Sequence, residues 1–283
     1  MPSKRAVVRV LSIVLVALAA ACDKQEDSPI KDIQNDPKFR YQNGLSALRA
    51  GNPDRAVRDL EVARTLDPKN VDVLHALGLA LSESGNSARA IEVLTEAIEL
   101  SPKNPALLNS RGVVLSRARR FDDAIADFQA ALAPEAHYAT PEAALLNLAD
   151  AYTETQRFAE AIETLEKGRA LRPRSGAIET ALCRTYDRAG RLEDAHRTCQ
   201  QAVLDEPTYA AGYFELGKIE LRRGRNAEAL SAFEKCLKLE PRGETAEQAR
   251  RYRTLLAPDA PAMPASAAPP PAGGATPEAA SPR

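Results

Sequence analysis

Ala56, Ala90, Ala124, Ala161, Ala195 and Ala229 follow one another at intervals of 34, 34, 37, 34 and 34 residues. A fixed period near 34 residues belongs to stacked helix-turn-helix units, not to a single globular core. Each unit is too small to bury its own apolar face, so it must stack on its neighbours.

Other columns keep the same period. Small residues stand at Gly44, Gly78, Gly112, Ala149, Cys183 and Gly217, and again at Ala63, Ala97, Ala131, Gly168, Ala202 and Cys236. Between them lie Leu60, Leu94, Phe128, Leu165, Cys199 and Phe233, and each unit closes on Pro68, Pro102, Ala136, Pro173, Pro207 or Pro241. Antiparallel helices packed at close range need small side chains where their axes approach. Glycine inside a helix costs roughly 1 kcal/mol against alanine, so a recurrent helical glycine signals such an approach. Proline stops the second helix. Gly51, Gly85, Gly190 and Gly224 suit a turn whose helix C-terminus needs a left-handed residue. The third and fourth units carry Arg119-Arg120 and Gln156-Arg157 there, so their turns are expected to close differently.

These columns resemble the tetratricopeptide repeat. The resemblance covers residues 37–243 as six units: 37–70, 71–104, 105–141, 142–175, 176–209 and 210–243. It implies an all-α fold, a right-handed α-solenoid of six tetratricopeptide repeats with a C-terminal capping helix at 244–257. That helix should turn Arg250, Arg251 and Arg253 outward and Leu255 and Leu256 inward. The family's usual tryptophan at the fourth place is replaced by Arg40, Leu74, Leu108, Leu145, Glu179 and Tyr213. Glu179 is the poorest fit, and weak packing is expected around it.

The two ends read differently. Residues 1–21 combine a basic start, an apolar run and small residues before Cys22, which is an export signal too short for a membrane span. Leu18-Ala19-Ala20-Ala21-Cys22 resembles a bacterial lipobox, although Ala19 stands where leucine is commoner. Cys22 is then the lipidated N-terminus of the mature protein. The alternative is an ordinary signal peptide cut after Ala21. Two or three acyl chains hold a protein to a bilayer stably, whereas one does so only marginally. Residues 22–36 form a polar tether, and 258–283, rich in alanine and proline, form a tail expected to be disordered.

Cys183 and Cys199 fall on the two antiparallel helices of the fifth unit and face each other. In an exported protein a disulfide between them is expected, with Cys236 left as a buried thiol. The other reading is that all three are small packing residues. His75, His137 and His196 are scattered without ligand spacing, so no metal is expected. No phosphate loop, nucleophile elbow or zinc-binding helix motif occurs, and no enzyme and no cofactor beyond the lipid on Cys22 are expected. A net charge of −1 removes the electrostatic case for nucleic acid.

In this architecture the first helix of each pair lines the concave face, through its second, fifth, ninth and twelfth residues. Tyr41, Leu45, Leu48, His75, Leu79, Asn109 and Val113 then form a partner-binding groove that is apolar toward the N-terminal end. Asp150, Thr153, Arg184, Asp187, Phe214 and Lys218 continue it with charge. An apolar groove suits an amphipathic helix or strand of a protein partner. The tether or the capping helix folding over it is the other occupant considered.

Lipobox, short tether and six repeats together resemble the pilotins of type IV pilus secretins. Pro134 to Pro141 adds three residues between the third and fourth repeats, where that family also carries an extended link. The resemblance implies a lipoprotein of the outer membrane, facing the periplasm, that binds a secretin subunit and assists insertion and ring assembly. Asp23 after the lipidated cysteine points instead to retention at the inner membrane. A general envelope adaptor, serving proteases or cell-wall enzymes, shares the same fold and anchor.

Overall fold

The computed structural model describes residues 36–134, 138–139 and 141–256. The export signal, Cys22, most of the tether, His137 and the tail lie outside the described residues. The described residues form thirteen α-helices and no strand. They divide into two compact units that meet in sequence at Leu100 and Ser101.

The first unit holds α1 (Pro37–Arg49), α2 (Pro53–Leu66), α3 (Val71–Glu83) and α4 (Ser87–Leu100). The second holds α5 (Pro105–Arg117), α6 (Phe121–Ala131), α7 (Glu142–Glu154), α8 (Phe158–Leu171), α9 (Gly176–Arg188), α10 (Leu192–Asp205), α11 (Ala210–Arg222), α12 (Asn226–Leu239) and α13 (Glu244–Leu256). Asparagines cap several starts: Asn52 accepts from the Arg55 N–H at 3.1 Å and Asn104 from the Ala106 N–H at 3.0 Å. A side-chain oxygen there satisfies an amide that has no partner within its helix.

The periodic alanines are the hidden seam of this fold: all six, Ala56 through Ala229, are 0% exposed. The glycine column explains itself by distance. A Cβ on Gly44 would fall 2.5 Å from Leu60 Cγ, and one on Gly112 would fall 2.5 Å from Phe128 Cε1. The helices of a pair therefore approach until a large side chain from one fills the place of a missing side chain on the other.

The turns of the third and fourth repeats correct the expectation that they close in another way. Arg119 and Gln156 both take φ of 60°, the left-handed region that Gly51 occupies at 67°. Their hydrogen bonds also match: Arg120 N–H to Leu115 O at 2.9 Å and Arg157 N–H to Tyr152 O at 2.8 Å, like Asn52 N–H to Ala47 O at 2.9 Å. Stacking of repeats imposes the turn, and the side chain accepts the strain.

The last helix departs in detail. Leu255 of α13 is 45% exposed rather than inward, while Ala246 and Ala249 are fully buried. Tyr252 stacks on Phe233 with ring centroids 4.8 Å apart, and Phe214 leans on both rings. Phe214 is thus buried core and no part of a groove wall.

Glu179 is also buried, yet well held. Arg169 of α8 donates from Nε and Nη2 to its two carboxylate oxygens at 2.7 and 2.8 Å. The weak packing expected there is replaced by a bidentate ion pair. In the same repeat Cys183 and Cys199 form a disulfide with Cα atoms 5.2 Å apart, at the positions that Gly44 and Leu60 fill in the first repeat.

Candidate protein-binding surface

In the first unit, α1 presents Tyr41, Leu45 and Leu48 on one stripe, spaced four and three residues apart. All three are half-buried, and α3 adds His75, half-buried, and Leu79, which is 37% exposed. The residues between them turn inward: Gly44 and Ala47 on α1, and Leu74, Leu77, Gly78 and Leu81 on α3. Helix α3 is apolar almost all round, so after its core side is covered it still carries apolar surface outward.

The ion pairs of this unit run to its second helices, with Arg40 of α1 reaching Asp59 of α2 at 2.9 Å. Arg64 meets Glu96 at 2.6 Å and Arg89 meets Glu61, both pairs linking the second helices α2 and α4. Burial pulls the His75 imidazole below its usual pKa, with Asp72 opposing the effect. Burial and then Asp72 push the Tyr41 phenol up, against Arg49. Both side chains are therefore neutral near pH 7.

In the second unit, Asn109 and Val113 are half-buried on α5. Asn109 Oδ1 accepts from Asn147 Nδ2 at 3.0 Å, so its amide NH₂ is the donor side of that group. The later first helices are laced together by charge. Arg184 reaches Asp150 at 2.5 Å, Arg188 pairs with Glu154, and Arg222 pairs with Asp187. Thr153 and Thr185 share a buried hydroxyl contact of 3.2 Å. Lys218 lies over the Phe214 ring at 5.2 Å and bonds Glu215 at 2.7 Å. These charges satisfy one another across successive repeats, so this stripe braces the stack rather than offering free charge.

Sequence reasoning missed a cavity of about 700 Å³ in the second unit, bordered by the longer link after α6 and by α7 and α8. The three extra residues were the available signal. Among the described residues no three His, Cys, Asp or Glu side chains gather as metal ligands do, and no helix is long and apolar enough to cross a membrane.

The repeat geometry is matched by family models, each described as a tetratricopeptide repeat, over residues 41–105 and 109–175, 156–216, and 210–242. The chain belongs to the tetratricopeptide-repeat family. No curated protein matches it in sequence. Among solved structures it is similar to PilW, described as a widely conserved type IV pilus biogenesis factor, with TM-score 0.64 and 22% identity over 75% of this chain and 97% of that one. It is similar to pilF of Pseudomonas aeruginosa, with TM-score 0.59 and 19% identity over 76% of this chain and 96% of that one. A tetratricopeptide repeat protein from Parabacteroides merdae gives TM-score 0.66 and 19% identity over 84% and 89%. At such identities the likeness speaks for the fold. This tetratricopeptide-repeat chain is a scaffold for protein–protein interaction, a role that repeat folds of this kind typically fill without catalysis.

Proposed function

We propose that this tetratricopeptide-repeat protein is a pilotin: a lipid-anchored scaffold that assists insertion and multimerisation of a type IV pilus secretin at the outer membrane. The observation that carries this reading is the outward apolar stripe of the first unit, Tyr41, Leu45 and Leu48 with Leu79, while two of the unit's ion pairs join its second helices and Arg40 of α1 turns to Asp59 of α2. The fold likeness to PilW and pilF supports it, as do the lipobox at Cys22 and the extended link after α6.

In this mechanism Cys22 carries the acyl chains and the tether keeps the repeats beside the membrane. Anchoring raises the effective concentration of scaffold where secretin subunits insert. The stripe grips an amphipathic segment of a subunit and shields its apolar face until the ring closes. Within the second unit, Asn109 and Val113 offer a contact of their own, Asn109 as a hydrogen-bond donor. No bond is made or broken, so affinity and timing are the whole of the activity.

The test charges the stripe. Leu45→Asp and Leu79→Asp place a carboxylate where a partner would bury it, which costs several kcal/mol of binding. Heat-stable secretin multimers and pili should disappear while circular dichroism and protein level stay unchanged. Normal multimers in both variants would sink the stripe as the working surface. Asp23 favours a second reading, an envelope adaptor held at the inner membrane. Membrane fractionation with a pull-down on the repeat domain separates the two.

A further inference from the structure

The cavity of about 700 Å³ is separate from the stripe just proposed. On α7 it uses Leu145, Leu148 and Tyr152, the fourth, seventh and eleventh residues of the repeat, not the ninth and twelfth that carry Asp150 and Thr153. Leu132 and Leu171 complete an apolar lining, and Leu171 is 62% exposed at its edge. Its size falls within the range of pockets that take a ligand rather than a packing defect.

Among its polar groups Glu160 is held by Arg157 at 2.9 Å, Glu163 by Lys167 at 2.7 Å, and Thr164 donates to the Glu160 carbonyl, so the two phenols are the donors turned to a ligand. Tyr152 Oη accepts from Gln129 Nε2 at 2.7 Å, which leaves the phenol's own O–H to donate. Tyr138 lies against the cavity, and burial pushes its pKa up, so its O–H is also kept. Pro134 and Pro141 flank it with apolar rings. An apolar site with aromatic hydroxyl donors is complemented by a ligand that is apolar, rich in carbonyl acceptors and poor in N–H groups. A proline-rich strand has that chemistry: every proline lacks an N–H, and its extended helix is formed before binding, so little entropy is lost.

This chain carries such a strand. Residues 257–283 follow α13 in the same unit as the cavity, and they include Pro258, Pro261, Pro264 and the run Pro269-Pro270-Pro271. As an extended proline-type helix at about 3.1 Å per residue, the stretch from Leu256 to Pro269 spans roughly 40 Å. Two helix pairs, α9–α10 and α11–α12, lie between the cavity's walls and α13, which puts α13 three packed layers on; at about 10 Å per layer that is on the order of 30 Å. The run can reach the site.

We propose that the cavity between the α6–α7 link and helices α7 and α8 is the docking site for the proline run Pro269–Pro271 of this chain's own tail. Leu145, Leu148 and Leu171 receive the rings, and the Tyr138 and Tyr152 hydroxyls bond the carbonyls. The tail then lies back along the repeats, and its release exposes both the tail and the cavity.

The experiment compares the full chain with one stopped after Ala257, which keeps α13. Hydrogen–deuterium exchange over residues 129–171 should rise several-fold in the shortened chain. A synthetic peptide of residues 258–283 should bind the shortened chain, reverse that rise, and bind the full chain at least about tenfold more weakly, because the tethered copy competes at high effective concentration. Leu171→Lys, at an exposed edge position, should make the full chain exchange like the shortened one. Replacing Pro269, Pro270 and Pro271 by alanine should do the same without touching the folded repeats. Exchange unchanged by removing the tail would overturn the proposal. So would equal peptide binding by both chains, which would assign the cavity to a proline-rich segment of another molecule. Binding that appears only with rising protein concentration would assign it to a second copy.

Discussion

The Arg169 guanidinium holds both carboxylate oxygens of Glu179, at 2.7 and 2.8 Å, with only 3% of Glu179 exposed. Arg169 also bonds Glu166 through Nη1, so one cation ties α8 to α9 and orders its own helix face. This is a position where the repeat ordinarily holds a large apolar ring, and here the chain packs an ion pair instead.

Removing one partner should be costly and removing both should not. Arg169→Leu leaves a buried carboxylate and should cost about 3–5 kcal/mol, whereas Arg169→Leu with Glu179→Leu should recover most of it. Urea unfolding of the three proteins checks this. Additive losses in the double variant would contradict the pairing.

The left-handed turns give a prediction of opposite sign. Gln156 sits at φ of 60° without being glycine, a conformation that costs an L-residue roughly 1–2 kcal/mol. Gln156→Gly should therefore raise the unfolding free energy by a fraction of that, since glycine loses more entropy on folding. Gly51→Ala should lower it by about 1 kcal/mol or more. The pair of shifts, read from denaturation midpoints, should have opposite signs.

Cys183 and Cys199 are separated by 16 residues, and a bridge closing a loop of that order contributes about 3 kcal/mol in the chain-entropy model. Non-reduced peptide mapping of exported protein should find the link, with Cys236 alkylated only after unfolding. Two freely alkylated thiols at 183 and 199 would refute it. Because the pair replaces a glycine facing a leucine, Cys183→Gly with Cys199→Leu should fold even under reducing conditions, and better than Cys183→Leu with Cys199→Leu.

His75 sets a pH dependence. Its pKa is lowered in the fold, chiefly by burial, from an ordinary value of 6.5. Between the lowered value and the ordinary one the unfolded chain binds a proton that the folded chain does not, so stability falls as pH falls below about 6.5. At neutral pH the contribution is intact. His75→Gln should flatten that acid decline in urea titrations run at successive pH values. An identical slope in both proteins would exclude His75 as its source.

Period, helix pairing and the seam of alanines could be read from the sequence because they depend on residue size at fixed spacing, which is local and repeated. The stripe of Tyr41, Leu45, Leu48 and Leu79 was legible for the same reason: positions on a helix follow from its turn. The partner of Glu179 was not legible, since Arg169 belongs to the preceding repeat and the contact exists only after stacking. Nor were the left-handed conformations of Arg119 and Gln156, because their side chains argue against them and only the packed helices on either side impose them. Phe214 kept the spacing of a groove residue, yet Tyr252 and Phe233 draw it into the core. The ladder from Asp150 to Arg222 turned residues that looked like a charged binding face into bracing. By itself the sequence determined which side chains are small, where helices begin and end, and how often the unit recurs. The tertiary structure decided which charges meet, which turn is strained and where space is left, because those depend on distances between residues far apart in the chain.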